Sequence, residues 1–131
     1  MIDLNKAENQ LSGEVVDSCF KIHQHLGPGL LESVYEEVLS HELKNKRGFH
    51  IQRQAPIQIE YEGLMMEKGF LADIIVEHTV IIEIKSVKEL LPVHSKQLQT
   101  YLRLSGLPIG ILANFNEAYL KNGLKRIVNG L

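Results

Sequence analysis

The sequence contains a single cysteine, Cys19, among its 131 residues. One thiol cannot form an internal disulfide or supply the ligands of a zinc ribbon, so both kinds of scaffold are excluded. The sequence also has no apolar run near the roughly 18 residues that a membrane-spanning helix needs. Its first ten residues are too polar for a secretory signal. These absences predict a cytoplasmic protein without a membrane partner.

The sequence also lacks an excess of positive charge. Fourteen Lys and Arg against sixteen Asp and Glu give a net charge of −2. A protein that coats nucleic acid in bulk has a broadly basic surface, so that class is excluded. Contact with nucleic acid would require a local patch or a metal ion that offsets phosphate charge. Six basic residues could supply such a patch or be ordinary solvated positions: Lys88, Lys96, Arg103, Lys121, Lys125 and Arg126.

The remaining composition is that of a globular domain. Hydrophobic residues make up 44% of the chain and charged residues 23%, which are ordinary proportions for a folded domain. No linker, repeat or low-complexity segment interrupts the chain. We therefore expect a single domain over residues 1–131.

Apolar residues at three- and four-residue spacing predict three helices. The first ends before Gly27-Pro28-Gly29, because that tripeptide favours a turn. The second covers about 30–46 and stops at Gly48, and the third covers about 93–104 and stops at Gly106.

Strand patterns occupy the rest of the chain, at 57–61, 69–76, 80–85 and 109–114, with a weaker one at 124–128. The order α-α-β-β-β-α-β, with a further terminal strand, predicts an α/β fold with a mixed sheet flanked by helices on both faces. Short connections make the first three strands antiparallel, whereas the helical crossover makes strand 109–114 parallel to a neighbour. Residues 116–123 give no clear pattern.

Three residues on the central strands carry the chemical signal. If residues 77–79 form a hairpin loop with Val76 opposite Val80, then Asp73 lies opposite Glu83. Lys85 is on the same face as Glu83 because side chains alternate along a strand. Directly opposed side chains have Cβ atoms about 4.5–5.5 Å apart.

Two carboxylates at that distance repel each other unless a cation neutralises them, and here their neighbours are apolar. A hard divalent ion such as Mg²⁺ binds such oxygens. Lys85 could then orient or deprotonate a water, or stabilise a phosphorane-like transition state. The alternative is a cross-strand ion cluster on a solvated sheet face.

Asp73 followed by Glu83-Ile84-Lys85 resembles the signature of the PD-(D/E)XK nuclease superfamily, although Ala72 replaces its frequent proline. Gly29, Glu32 and Tyr35 match the motif of the GxxExxY family within that superfamily. The helix after Lys85 adds Gln97 and Tyr101, similar to the QxxxY pattern of RecB-like nuclease domains. The resemblance covers about residues 15–128.

This resemblance implies a restriction-endonuclease-like core and a set of roles. Asp73 and Glu83 correspond to metal-binding carboxylates, with the carbonyl of Ile84 as a further ligand, and Lys85 corresponds to the catalytic lysine. Glu32 occupies the position of an acid that holds metal directly or through water. With Gly29 near the helix N-cap, Glu32 could equally be a capping residue.

The same resemblance implies that Gln97 and Tyr101 position the lysine or the substrate phosphate, whereas Tyr35 is more readily a core residue. The predicted activity is Mg²⁺- or Mn²⁺-dependent hydrolysis of DNA in preference to RNA. Two alternatives stay open. One is a nucleic-acid-binding or partner-binding module that retains the fold without turnover, and the other is a structural subunit whose acid pair bonds to Lys85. Nucleases of this size often dimerise, so a homodimer is compatible with the sequence.

Overall fold

The computed structural model describes residues 4–129. In that part of the chain the helices and strands follow the predicted order: α1 (Leu4–Leu26), α2 (Glu32–His41), β1 (Ile51–Tyr61), β2 (Leu64–Val76), β3 (Val80–Lys85), α3 (Pro92–Ser105), β4 (Ile109–Asn114) and β5 (Leu124–Val128). A π-helical turn, Glu42–Lys46, continues α2, and a 3₁₀ turn, Leu120–Asn122, precedes β5. The described residues include no helix long and apolar enough to cross a membrane.

The strands form one mixed sheet in the order β1-β2-β3-β4-β5. β1 pairs with β2, β2 with β3 and β4 with β5, each antiparallel. β3 and β4 are parallel, as expected for strands joined through a helix. The predicted α/β class, with its antiparallel meander and helical crossover, is confirmed.

Helices cover both faces of the sheet. α1 and α2 pack on one face, where Leu39 and Tyr35 contact a cluster that includes Ile82 and Ile111. α3 packs on the other face, where Leu98 and Leu102 belong to a second cluster with strand residues. Because β3 and β4 are covered on both sides, they are apolar almost throughout, as central strands are.

The first two strands are longer than predicted. β1 begins at Ile51 rather than at residue 57, because polar residues in 52–54 hide the alternating pattern there. β2 begins at Leu64 rather than at residue 69, because its first residues form an exposed hairpin with the end of β1. These are corrections of extent, and the number and order of strands are unchanged.

The turn between β2 and β3 sets the register of the central strands. Glu77 and His78 both have positive φ, and the N–H of Thr79 donates to the carbonyl of Val76 over 2.9 Å. The resulting pairs place Val76 opposite Val80, and Ile74 opposite Ile82. This is the predicted register, and it brings Asp73 beside Glu83 one step beyond the last pair.

Candidate active site

The Asp73 and Glu83 carboxylates join β2 to β3 at the point where the backbone pairing of the two strands ends. Backbone pairing between the two strands stops at Ile74 and Ile82. Beyond it, the N–H of Asp73 donates to Oε2 of Glu83 over 2.8 Å, and the N–H of Ile84 donates to Oδ2 of Asp73 over 2.8 Å. Each acid therefore bonds the main chain of the opposite strand, and the two carboxylates lie side by side.

Burial makes this arrangement costly for negative charge. Glu83 is only 6% exposed, and burial, with the charge of Asp73 as a second cause, raises the pKa of Glu83 to about 8. Burial also raises the pKa of Asp73, against the hydrogen bonds from Ile84 and Gln54. Two carboxyl groups whose environment opposes ionisation are typical of functional sites, because a bound cation can relieve the repulsion.

Lys85 lies beside the acid pair without being bonded to it. It follows Glu83 by two residues and so shares its side of β3, and its positive charge lowers the pKa of both acids. Within residues 7–129, whose side chains are described, the ion pairs shorter than 4.0 Å join Lys21 to Glu42, Arg47 to Glu14 and Arg53 to Glu36. The alternative in which Lys85 bonds internally to the acid pair is therefore wrong, and its amine is free to act on a ligand.

The donor set at this position fits a hard divalent cation. Two carboxylates supply charged oxygens, and Mg²⁺ characteristically binds through one or two carboxylates while keeping several waters or substrate oxygens. Among the described residues, no three His, Cys, Asp or Glu side chains form a group that could hold a metal. Asp73 and Glu83 are therefore the two acids that could hold an ion here, and among the described residues Glu32 does not join them as a third direct ligand.

Glu32 contacts the segment that follows Lys85. It is the first residue of α2, and Leu31 is the N-cap, in an extended conformation and without a side-chain cap bond. The capping interpretation with Gly29 at the N-cap is therefore wrong. The Glu32 carboxylate instead accepts a hydrogen bond from the N–H of Ser86 over 3.0 Å, directly after Lys85. A role for Glu32 through an intervening water stays a prediction.

Tyr35 is a structural residue, as its core-packing interpretation predicted. It is fully buried and stacks on Phe115 with ring centroids 4.7 Å apart. Its hydroxyl donates to the carbonyl of Gly27 over 2.6 Å and accepts from the N–H of Leu30 over 3.1 Å. Tyr35 therefore fixes the turn before α2 and, with it, the position of Glu32.

The structure places Tyr101 near the acids. Its ring stacks on Phe70 of β2, with centroids 3.7 Å apart and planes inclined by 7°. Burial raises the pKa of the Tyr101 hydroxyl, and the charges of Glu83 and Asp73 raise it further. Gln97 is exposed on α3, one turn before Tyr101. Roles for these two residues toward the lysine or a phosphate stay predictions.

Three residues that the sequence patterns did not single out form a hydrogen-bonded group that reaches Asp73 through Gln54. Glu36 is buried, and Arg53 donates to its Oε2 from Nε and Nη2 over 3.2 and 3.1 Å. The side-chain amide of Gln54 donates to Oε1 of Glu36 over 2.6 Å and to Oδ1 of Asp73 over 3.2 Å. The available signal was that Glu36 follows Glu32 by four residues, on one face of α2.

Asn114 fixes the segment that follows Lys85. It is fully buried at the end of β4. Its amide donates to the carbonyl of Val87 over 3.0 Å, and its Oδ1 accepts from the Val87 N–H over 3.0 Å. A buried polar residue at the end of an apolar strand was a sequence signal for such a contact, because buried amides are hydrogen-bonded.

Arg126, one of the six candidate basic residues, is bonded to α1. That residue pairs with Ile111, which belongs to the cluster under α1, and its guanidinium donates to Ser12 and Asn9 of α1. Arg126 is therefore bound on the face opposite α3. All six basic residues are exposed, and contact of the other five, Lys88, Lys96, Arg103, Lys121 and Lys125, with nucleic acid stays a prediction.

A model of the PD-(D/E)XK nuclease superfamily matches residues 9–127 of the chain. The chain therefore belongs to this superfamily, and the superfamily resemblance seen in its motifs is confirmed. No curated protein and no solved structure gives a significant match. Membership of the superfamily supports a nuclease-type function with nucleic acid as substrate.

Proposed function

We propose that this chain is a Mg²⁺- or Mn²⁺-dependent nuclease that hydrolyses phosphodiester bonds, in DNA rather than RNA. The observation that carries the proposal is the acid pair of buried Glu83 and half-buried Asp73, cross-bonded between β2 and β3, with the unpaired amine of Lys85 on the same side of β3. Superfamily membership adds independent support.

In this proposal the two carboxylates and the carbonyl of Ile84 hold the ion. The ion, when bound, supplies positive charge toward a phosphate oxygen and lowers the pKa of a bound water. Asp73 and Glu83 are suited to hold it because their main-chain hydrogen bonds fix one oxygen of each and leave further lone pairs available. Both must be deprotonated to do so, which couples ion binding to proton release.

Lys85 acts next to this ion in the proposal. As a neutral amine it accepts a proton from the attacking water; as an ammonium it orients that water and stabilises the negative charge of the phosphorane-like transition state. The segment after Lys85 is well fixed, since Ser86 bonds Glu32 and Val87 bonds Asn114. Tyr101 and Gln97, from α3, are proposed to position the lysine or the scissile phosphate.

We also propose that the chain belongs to the GxxExxY group within the superfamily. Gly29, Glu32 and Tyr35 match that motif, and their contacts give it a physical reason. The Tyr35 hydroxyl binds the turn before α2, while Glu32 at the start of α2 binds the segment after Lys85. The motif therefore joins α2 to the proposed catalytic strand.

Lys85→Ala tests the proposal. Cleavage of single-stranded DNA, double-stranded DNA and RNA is measured in Mg²⁺, in Mn²⁺ and in EDTA. We expect the Mg²⁺-dependent cleavage of DNA to be about a hundredfold or more slower in the variant. Circular dichroism and DNA affinity should be retained. Lys44→Ala, which removes an exposed lysine beyond the end of α2, is the matched control and should keep full activity.

Three outcomes would contradict the proposal. Equal cleavage by Lys85→Ala and the unaltered protein would remove Lys85 from the mechanism. Binding of DNA by the unaltered protein without cleavage under any metal condition would favour the non-catalytic binding module. Faster cleavage of RNA than of DNA would reverse the proposed substrate preference.

A further inference from the structure

We infer that Gln54 is a positioning residue that orients the Asp73 carboxylate for the cation by tying it to Glu36. The inference rests on the proposed function, because it assigns a supporting residue to the same metal site. Three observations carry it: the backbone of Gln54, the two bonds of its side chain, and the anchoring of Glu36.

The backbone observation is a local distortion in both strands. Gln54 has φ of +46° within β1, a conformation that residues other than glycine seldom adopt. The pairs on either side are regular, Arg53 opposite Ile74 and Ala55 opposite Ala72. Gln54 and Asp73 would be the intervening pair, yet no such pair forms between them.

The faces of the sheet show the same distortion. Residues two apart on a strand normally share a face. Ile74 nevertheless belongs to the cluster under α1 and α2, whereas Ala72 belongs to the cluster under α3. β2 therefore turns about Asp73, at the level where β1 turns about Gln54. An unfavourable backbone conformation persists only where its surroundings hold it, and such positions concentrate at functional sites.

The side chain of Gln54 uses that distortion to reach two acids. Its Nε2 donates to Oε1 of Glu36 over 2.6 Å and to Oδ1 of Asp73 over 3.2 Å. A primary amide has two N–H donors, so both can be satisfied by these carboxylates. The Gln54 amide thus lies between the carboxylates of Glu36 and Asp73 and donates a hydrogen bond to each.

Glu36 supplies the fixed end of this link. It is buried on α2, and its second carboxylate oxygen, Oε2, accepts hydrogen bonds from both Nε and Nη2 of Arg53. At the opposite end, Asp73 receives Gln54 on Oδ1 and the Ile84 N–H on Oδ2. Donors on both oxygens set the rotation of the carboxylate, as outer-shell partners of metal ligands do.

Mn²⁺ binding by variants of Gln54 tests the inference. Gln54→Leu keeps much of the side-chain volume without the donors, whereas Gln54→Gly removes the side chain and relieves the positive φ. The dissociation constant for Mn²⁺ is measured by electron paramagnetic resonance on metal-free protein. We expect both variants to bind Mn²⁺ about 10- to 100-fold more weakly, with Gln54→Gly unfolding at a temperature no lower than the unaltered protein.

Gln58→Leu is the matched control. Gln58 is on the same strand, and its amide donates to Glu67 over 2.6 Å in the exposed hairpin. Removing that bond should leave Mn²⁺ affinity unchanged.

A double variant tests whether Glu36 acts through Gln54. If it does, the protein with both Glu36→Gln and Gln54→Gly should bind Mn²⁺ no more weakly than the protein with Gln54→Gly alone.

The outcomes separate this inference from the proposed function. Unchanged Mn²⁺ affinity in Gln54→Gly, together with lost affinity in Glu83→Gln, would overturn the role of Gln54 and leave the metal site intact. Unchanged affinity in Glu83→Gln would overturn the metal site and the inference with it. Weakening in Gln54→Gly, an unchanged Gln58→Leu and non-additivity with Glu36→Gln would support the role given to Gln54.

Discussion

At the scale of single residues, Glu83 ties the stability of the fold to pH. Its pKa is about 8 in the folded chain, against an ordinary value of 4.5, with burial as the main cause. Between these values the folded protein binds a proton that the unfolded chain has released. Stability without metal should therefore fall as pH rises from about 4.5 to about 8.

Glu83→Gln should remove most of that pH dependence. The amide has similar shape and no charge to bury, so the variant is expected to be the more stable protein at pH 8 and close to the unaltered protein near pH 5. Urea unfolding in EDTA at intervals between these pH values measures the difference in free energy of unfolding. Glu67→Gln, in the exposed hairpin, is a control that should leave the pH profile unchanged.

The same two proteins are also compared with divalent metal present. Millimolar Mg²⁺ or Mn²⁺ at pH 8 should raise the unfolding temperature of the unaltered protein, because a ligand of the folded state stabilises it. Glu83→Gln should show no such rise. Parallel pH profiles of the two proteins in EDTA would contradict the pKa assigned to Glu83.

The acid pair was predictable because it depends on local chain geometry. A three-residue connection between two apolar strands fixes their register, and the register alone brings Asp73 to Glu83. Gln54 and Glu36 were not predictable in this way. Their contacts join α2, β1 and β2 over 17 to 19 residues of sequence. The contacts also depend on the positive φ of Gln54, which no residue pattern predicts.

At the scale of elements, the packing of α3 on β4 depends on the absence of a side chain. A Cβ added to Gly110 would lie 2.8–3.0 Å from three side-chain carbons of Leu98. Leu98 is fully buried on α3, the helix that also carries Tyr101. Gly110 therefore determines how closely that helix approaches the sheet and the acid pair.

Gly110→Ala should destabilise the protein by about 1–3 kcal/mol, because the close-packed interface must shift to admit a methyl group. Displacement of α3 should also reduce nuclease activity in the proposed mechanism. Chemical denaturation measures the first effect. Gly13→Ala is the matched control: an added Cβ there meets nothing within 4 Å, and in the interior of α1 it should stabilise the protein by about 0.5–1 kcal/mol. Equal effects of the two substitutions would contradict this account.

The helices and central strands could be predicted from the sequence, because the spacing of their apolar residues and the glycines that end the helices indicate the same boundaries. α3 ends at Gly106, which is in the left-handed conformation, as its predicted stop requires. The start of α2 did not follow. The bonds of Tyr35 to Gly27 and Leu30 fix the preceding turn, so the helix begins at Glu32 instead of close to Gly29.

At the scale of the whole molecule, burial is distributed unevenly along the sheet. β3 and β4 are buried almost throughout, whereas most residues between 58 and 69 of the β1–β2 hairpin are exposed. Large apolar side chains at its end include Tyr61, Leu64 and Met65. Local opening requires little energy where few apolar contacts are lost.

Hydrogen exchange followed by mass spectrometry should reproduce this distribution. Amides in 80–84 and 109–114 should exchange most slowly, close to the rate set by global unfolding, and those in 60–68 should exchange fastest within the sheet. The comparison is internal, since all segments come from one sample. Protection of 60–68 equal to that of β4 would mean that the hairpin is covered in solution, for example by a second copy of the chain.

The two outer strands bear on how copies of this chain can associate. β1 and β5 form the edges of the sheet in the described residues. Pro56 has no N–H to offer along β1, and the backbone of Gln54 interrupts the same edge. Lys125 and Arg126 place charge on the short β5. Both edges thus resist cross-chain strand addition, the usual route to aggregation of exposed sheets.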